Sequence, residues 1–341
     1  MVKPPQASRR REDHGLFGPG SPTWAVWSHP SLVIAGGRAA IVQMFHPPTA
    51  AGVAQHSVYP GEFHGRLRRT AHYFATVALG DARSAVDASD RLRRVHERVT
   101  GIEPLTGRPY RAADPANQLW VHVTGWHSAL YAYERYGAGR LSSQDEARYW
   151  RECGIASELQ DLDPAVVPCS RVAVREYFES MRPCLCVSEP ARAIMHSLLP
   201  PPVSWELAPF VPLLPLLAAA TVATIPRHLR RLGGFDQPAV VDASVWPFMR
   251  ITTAALTLPV LQRVLATLAP EAYAVVHDAL AGRPPLRDEV VSPAQARRRL
   301  AQGRSNRHGR VAHPHNSARR GTKRSPVSLR ATSRGVARPP R

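Results

Sequence analysis

The stretch RLRRT at Arg66–Thr70 places an arginine and a threonine four positions apart. On a helix, residues at i and i+4 share one face, so both side chains could contact the same group. One interpretation is a solvated arginine beside a threonine that bonds back into its own helix. The alternative is a buried arginine, which needs an anionic partner.

The same basic tetrad returns in RLRRVH, which ends at His96. His96 follows Leu92 by four residues and precedes Val99 by three, so it lies at the edge of the apolar face of a predicted helix. A histidine in that position is usually a hydrogen-bonded boundary residue. A neutral imidazole in a buried helical pocket could also ligate an iron. Both interpretations remain open at the level of single residues.

The elements that carry these residues are predicted to be helices. Apolar residues recur every three or four positions through residues 66–79, and Gly80 ends the pattern. Asp81 is a predicted N-cap for the next helix, which the apolar pattern extends to about Thr100 and Gly101.

Further helix boundaries follow from caps and prolines. Asp114 and Pro115 open a long helix, and Ser142 caps the one after it. Nearer the start, Trp24–Ala40 has a helical pattern that we expect to be interrupted at Gly36-Gly37. The apolar run Leu207–Ile225 contains three prolines and predicts a buried helix that begins at Pro215, not a transmembrane span. Alternating strand patterns are missing, so the sequence predicts one all-α domain.

Charge is concentrated at one end of the chain. The 341 residues carry a formal charge of +18, and residues 283–341 contribute 16 Lys and Arg against two acids. The rest of the chain is nearly balanced, so the RLRR tetrads do not indicate a nucleic-acid site. We expect residues 1–17 to be disordered, residues 18–282 to form the folded domain, and residues 283–341 to be a disordered Arg-rich tail.

Several classes of protein are disfavoured. The sequence contains no P-loop, no strand-led dinucleotide fingerprint, no G-x-S-x-G and no H-E-x-x-H. Its four cysteines show no C-x-x-C spacing, and no apolar segment follows the basic start. We therefore expect reduced cysteines and a cytoplasmic protein. His122 and His127 are five positions apart, which disfavours a shared metal.

The order of several phrases resembles the MpaB-type oxygenase family, which includes the catalytic domain of rubber oxygenases (latex-clearing proteins). The phrases are GGRAAIVQMFHPPTAAGVAQHS, RLRRTAHYFATVALG, RLRRVHERVTG, YRAADPANQLWVHVT and RYGAGRLSSQDEARYWREC. The resemblance is good over residues 18–155 and looser to about residue 282. Its specific part is an arginine, a threonine four positions later and a histidine twenty-six positions after that.

The resemblance implies an all-α fold that encloses a b-type haem. It implies that His96 is the axial ligand, that Arg66 and Thr70 line the haem pocket, and that dioxygen is used to cleave carbon–carbon double bonds of an isoprenoid-like substrate. Rubber oxygenases have a lysine just before the threonine, where this chain has Arg69. Because arginine stays protonated, we expect an open or water-bound sixth position on the iron.

The sequence leaves the general base and the class of function open. No carboxylate is identified as a general base, and Glu62 is expected to be an i,i+4 partner of Arg66. The alternative functions are a non-catalytic haem- or lipid-binding module and nucleic-acid binding through the basic tail. Contact with a membrane surface is also compatible with the sequence, without a spanning segment.

Overall fold

A computed structural model describes residues 10–56, 61–199, 211–258, 261–262, 266–267 and 269–311. For residues 61–64 and 303–311 only the backbone is described. Helices hold 69% of the residues and strands 2%, so the predicted helical fold is confirmed. Contacts divide the chain into a unit of residues 1–300 and a second unit of residues 301–341. Of the second unit, only residues 301–311 are described, and they form the end of the last helix.

The helices are numbered in chain order. They are α1 Pro22–Trp27, α2 Leu32–Gln43, α3 Pro47–His56, α4 Gly61–Leu79, α5 Ala82–His96, α6 Pro115–Tyr136, α7 Ser143–Ser157, α8 Arg171–Met181, α9 Glu189–Ser197, α10 Leu214–Thr224, α11 Arg227–Gly233, α12 Ala239–Ala255, α13 Pro270–Leu280 and α14 Pro293–Val311. Three short 3₁₀ turns cover Glu158–Gln160, Pro164–Val166 and Arg182–Cys184.

The predicted helix starts are confirmed. The carboxylate of Asp81 accepts a hydrogen bond from the Ser84 amide at 2.8 Å and so caps α5. Pro115 is the first residue of α6. The hydroxyl of Ser142 accepts from the Asp145 amide at 3.1 Å and caps α7. Helix α10 has Pro215 in its first turn, as expected; Leu207–Phe210, the start of the predicted run, lie outside the described residues.

The expected break at Gly36-Gly37 is wrong. The chain is interrupted instead at residues 28–31, where Pro30 cannot continue α1 because it lacks an amide hydrogen. Both glycines are helical within α2. A Cβ on Gly37 would lie 3.2 Å from Cγ2 of Thr221, so this glycine lets α10 approach α2 closely.

The end of α5 also differs from the prediction. The helix stops at His96, four residues early, and the chain then forms a small hairpin. Strand β1 (Thr100–Ile102) pairs antiparallel with β2 (Pro109–Arg111), with Thr100 opposite Arg111. The turn between them is held by Glu103, whose carboxylate accepts from the amides of Leu105 and Thr106 at 2.8 Å.

The predicted disorder at both ends of the domain is wrong for residues 10–17 and 283–300. Leu16 and Phe17 are 5% and 3% exposed and belong to the main core, as does Val291 at 0%. The two segments also bond to each other, for example from the Val291 amide to the Gly15 carbonyl at 2.9 Å. Sequence charge had suggested a tail from residue 283, but the apolar residues within the basic stretch pack inward.

The main core surrounds α6. The Trp126 ring on that helix contacts the rings of Phe17 and Trp27 at centroid distances of 5.9 and 5.4 Å. Trp27 in turn stacks on Phe74 of α4. All four cysteine thiols are free. Within the described ranges, none of the helices has the length and apolar character needed to span a membrane.

Candidate functional site

Helices α4 and α5 form an antiparallel pair joined only by Gly80 and Asp81. Arg66 precedes this turn by about as many residues as His96 follows it. At a rise of about 1.5 Å per residue, both side chains lie roughly 20 Å from the turn. The structure therefore brings Arg66 and His96 together, although thirty positions separate them in sequence.

Arg66, Thr70 and His96 all line one large cavity of about 1750 Å³. Its walls come mainly from α2, α3, α4, α5, α6, α10 and α13. Typical ligand sites occupy roughly 300–1000 Å³. This cavity therefore has room for a large cofactor together with a second molecule.

His96 is held as a neutral imidazole. Burial, and to a smaller extent the nearby charge of Arg66, lowers its pKa to about 4. Its Nδ1 atom is buried and has no hydrogen-bond partner in the part of the chain that the structure describes. At neutral pH the ring therefore retains the lone pair that a metal ligand needs.

Arg66 is a partly buried cation. Burial, and then repulsion from Arg69, lowers the pKa of its guanidinium. Thr70 lies one turn further along α4 and reaches the same cavity. The predicted partner Glu62 has a side chain outside the described ones, so its expected pairing with Arg66 stays a prediction.

The charges on the cavity wall are all positive. Four arginines line it: Arg66, Arg68, Arg69 and Arg91. Among its described lining residues there is no aspartate or glutamate. The charge of Arg68 is neutralised by Glu271, which does not line the cavity. Arg68 Nη2 donates to the two carboxylate oxygens of Glu271 at 3.1 and 3.2 Å.

Tyr73 and His72 are among the polar residues of the cavity that sequence reasoning missed. Tyr73 accepts a hydrogen bond from the Gln160 amide, and burial raises the pKa of its hydroxyl to about 12. Tyr73 follows Thr70 by three residues and Arg66 by seven, so helical spacing alone could have placed it on the same face. His72 also reaches the cavity, and no such spacing indicated it.

His122 and His127 are separated, as their spacing predicted. His122 lines the cavity, and its Nε2 is 2.9 Å from the Cys153 carbonyl oxygen. Burial lowers its pKa to about 4. His127 instead packs against the Phe178 ring at a centroid distance of 4.9 Å. Across the described ranges, no three His, Cys, Asp or Glu side chains cluster as a metal site.

One solved structure, described as "Structure of Latex Clearing Protein LCP in the closed state", aligns with a TM-score of 0.42 and 16% sequence identity. The alignment covers 74% of each chain. No curated protein matches the sequence.

The family comparison is decisive. The sequence model described as "ER-bound oxygenase mpaB/B'/Rubber oxygenase, catalytic domain" matches residues 24–257. That range includes α1 to α12 almost completely, and with them Arg66, Thr70 and His96. Because the match covers more than half of the sequence, the chain belongs to the mpaB/rubber oxygenase catalytic-domain family.

Proposed function

We propose that the protein is a haem b-dependent oxygenase that uses dioxygen on an apolar, isoprenoid- or lipid-like substrate and cleaves a carbon–carbon double bond. Membership of an oxygenase family supports the reaction class. The family name includes rubber oxygenases, which supports a polyisoprene-like substrate class. We assign the activity to the unit that the core defines, residues 10–300.

His96 is the observation that carries the proposal. It is a neutral imidazole on the wall of a large cavity, and no described residue forms a hydrogen bond to its buried Nδ1. A haem iron takes four ligands from the porphyrin and needs only one or two from the protein. When bound, haem b would supply an iron that binds and activates dioxygen. His96 fits the role of its protein ligand.

The other cavity residues have distinct roles in the proposal. Arg66 and Thr70 would donate hydrogen bonds to negative charge that develops during the reaction. Arg69 would not serve as an iron ligand, because its guanidinium keeps its proton. Apolar residues on α2 and α10, such as Val33, Leu214 and Leu217, exclude water and hold the hydrocarbon chain.

A cytoplasmic location, and any contact with a membrane surface, remain proposals based on the sequence. The same holds for the alternatives of a non-catalytic haem- or lipid-binding module and of nucleic-acid binding through the basic tail of residues 283–341.

The test is an optical and stoichiometric measurement on protein produced with ample haem. We expect one haem per chain with a Soret band, and loss of that band in His96→Ala. His277→Ala is the matched control, because His277 also lines the cavity but is exposed on α13. Wild-type protein without a Soret band, or His96→Ala with unchanged haem content, would overturn the haem assignment. Dioxygen consumption with an isoprenoid substrate then distinguishes an oxygenase from a binding module.

A further inference from the structure

The cavity is apolar along most of its wall and positive at one place. Three of its four arginines lie on α4 (Arg66, Arg68 and Arg69), and Arg91 lies on α5. Since no described lining residue is acidic, the cavity itself does not supply their counter-charge. Arg68 is already paired with Glu271, whereas a neutral hydrocarbon would offer no anion to Arg69 and Arg91.

Arg69 and Arg91 are the two arginines best placed to meet a ligand. They lie at similar distances along the two helices from the turn between α4 and α5, and both line the same cavity. Both side chains are exposed as well as lining the cavity, which places them at its mouth. Neither forms an ion pair with another described residue. The charge of Arg69 already acts on Arg66, whose pKa it lowers.

The rest of the cavity is suited to a hydrocarbon chain. Leu198, Leu199, Leu214 and Leu217 also line it, and α2 adds small residues such as Ala40. A cavity with cations at its mouth and an apolar interior is complementary to an amphipathic anion, with the head group at the mouth and the tail inside.

We propose that the physiological substrate is a long-chain carboxylate, whose head group is bound by Arg69 and Arg91 while its apolar chain extends into the cavity. This inference rests on the proposed function, because it names the substrate class of the same site. A bidentate guanidinium–carboxylate pair would also fix the position of the chain, and hence which double bond reaches the reacting centre.

Haem b has two propionates that could use the same arginines. The inference is therefore tested by ligand binding at measured haem content, not by activity alone. The probes are farnesoic acid, farnesol and methyl farnesoate, which share one isoprenoid chain and differ only in the head group. Isothermal titration calorimetry at pH 7.5, where the acid is ionised, gives the dissociation constant for each.

We expect the acid to bind at least about tenfold more tightly than the alcohol and the ester, because charge-assisted hydrogen bonds are stronger than hydrogen bonds between neutral groups. Arg69→Gln and Arg91→Gln should each remove most of that preference without weakening alcohol binding. Arg94→Gln is the matched control, because Arg94 belongs to the same tetrad and is exposed but does not line the cavity. Added salt should weaken the binding of the acid but not that of the alcohol or the ester.

The other outcomes are separable. Equal binding of acid and alcohol would overturn the head-group inference and leave the proposed function intact. Loss of haem in Arg69→Gln or Arg91→Gln, with the acid preference retained, would assign these arginines to the propionates and also overturn it. Failure of all three probes to bind haem-loaded protein would count against the isoprenoid substrate itself.

Discussion

The Arg66 guanidinium acts electrostatically on His96 across the α4–α5 pair. Burial is the larger cause of the low His96 pKa, about 4, and the Arg66 charge adds to it. A cation placed beside an imidazole disfavours its protonation. The pair therefore keeps His96 able to act as a ligand well below neutral pH, which gives Arg66 a second role besides hydrogen bonding.

Acid should destabilise the fold through its buried histidines. The pKa values of His46, His96 and His122 are all lowered to about 4 from 6.5, by burial first. The unfolded chain binds their protons at a higher pH than the folded one, so stability is lost as pH falls from about 6.5 to about 4. For His122, which is deeply buried, the loss is up to about 3 kcal/mol.

Urea unfolding at pH 7 and pH 5 measures this effect. His122→Gln keeps an amide that can donate to the Cys153 carbonyl but removes the titration, so its stability should change less between the two pH values. The exposed His277→Gln should behave like wild type. An unchanged pH dependence in His122→Gln would contradict the assignment.

Removal of the polar donors should separate catalysis from cofactor binding. Thr70→Val keeps nearly the same shape without the hydroxyl, and Arg66→Lys keeps the charge without the planar fork. We expect both variants to retain haem, with dioxygen-dependent turnover reduced by about 10². Arg68→Lys, at an exposed pair with Glu271, should stay close to wild type. If haem is lost in Thr70→Val, the hydroxyl serves the cofactor and not the reaction.

Residues beyond position 283 should contribute to stability. Val291 is 0% exposed in the core, and its neighbour Val290 is 53% exposed. Val291→Ala should therefore lower the free energy of unfolding by about 2 kcal/mol, whereas Val290→Ala should leave it almost unchanged. Chemical denaturation under identical conditions gives the free energy of unfolding of each variant. Equal costs would indicate that this segment does not belong to the core.

Two helical glycines should respond oppositely to alanine. A Cβ on Gly36 meets nothing within 4 Å, so Gly36→Ala should stabilise the protein by about 0.5–1 kcal/mol through helix propensity. A Cβ on Gly125 would lie 2.8 Å from Cζ of Phe74, whose ring is fixed by Trp27. Gly125→Ala should lower the free energy of unfolding by about 1–3 kcal/mol, because the added methyl group overpacks the core. Thermal or urea midpoints give the sign of each change.

The sequence predicted the features that depend on local signals. Asp81, Pro115 and Ser142 marked helix starts because capping involves residues only a few positions apart. The family was identified from phrase order and is confirmed by the match over residues 24–257. The roles of Arg66, Thr70 and His96 remain predictions that the cavity geometry supports.

What sequence could not predict depends on distant contacts. Gly37 was expected to interrupt a helix, but its role is to admit Thr221 of α10, 184 positions later. The basic stretch after position 283 was expected to be disordered because its charge hid the few apolar residues that pack inward. Tyr73 was overlooked although its helical spacing from Arg66 and Thr70 places it on their face, whereas no such spacing indicates that His72 faces a cavity.

The hydrogen bonds between residues 11–15 and 286–291 have a consequence for biosynthesis. Arg11 and Gly15 accept from the Leu286 and Val291 amides, and the side chain of Arg10 reaches Pro285, 275 positions away. Translation proceeds from the N-terminus, so residues 10–17 leave the ribosome long before their partners exist. These bonds can form only after residue 291 has been synthesised. Until then Leu16 and Phe17 lack Val291 and Ala296, which belong to the same core cluster, and a nascent chain that stops before residue 286 has neither amide donor for the carbonyls of Arg11 and Gly15.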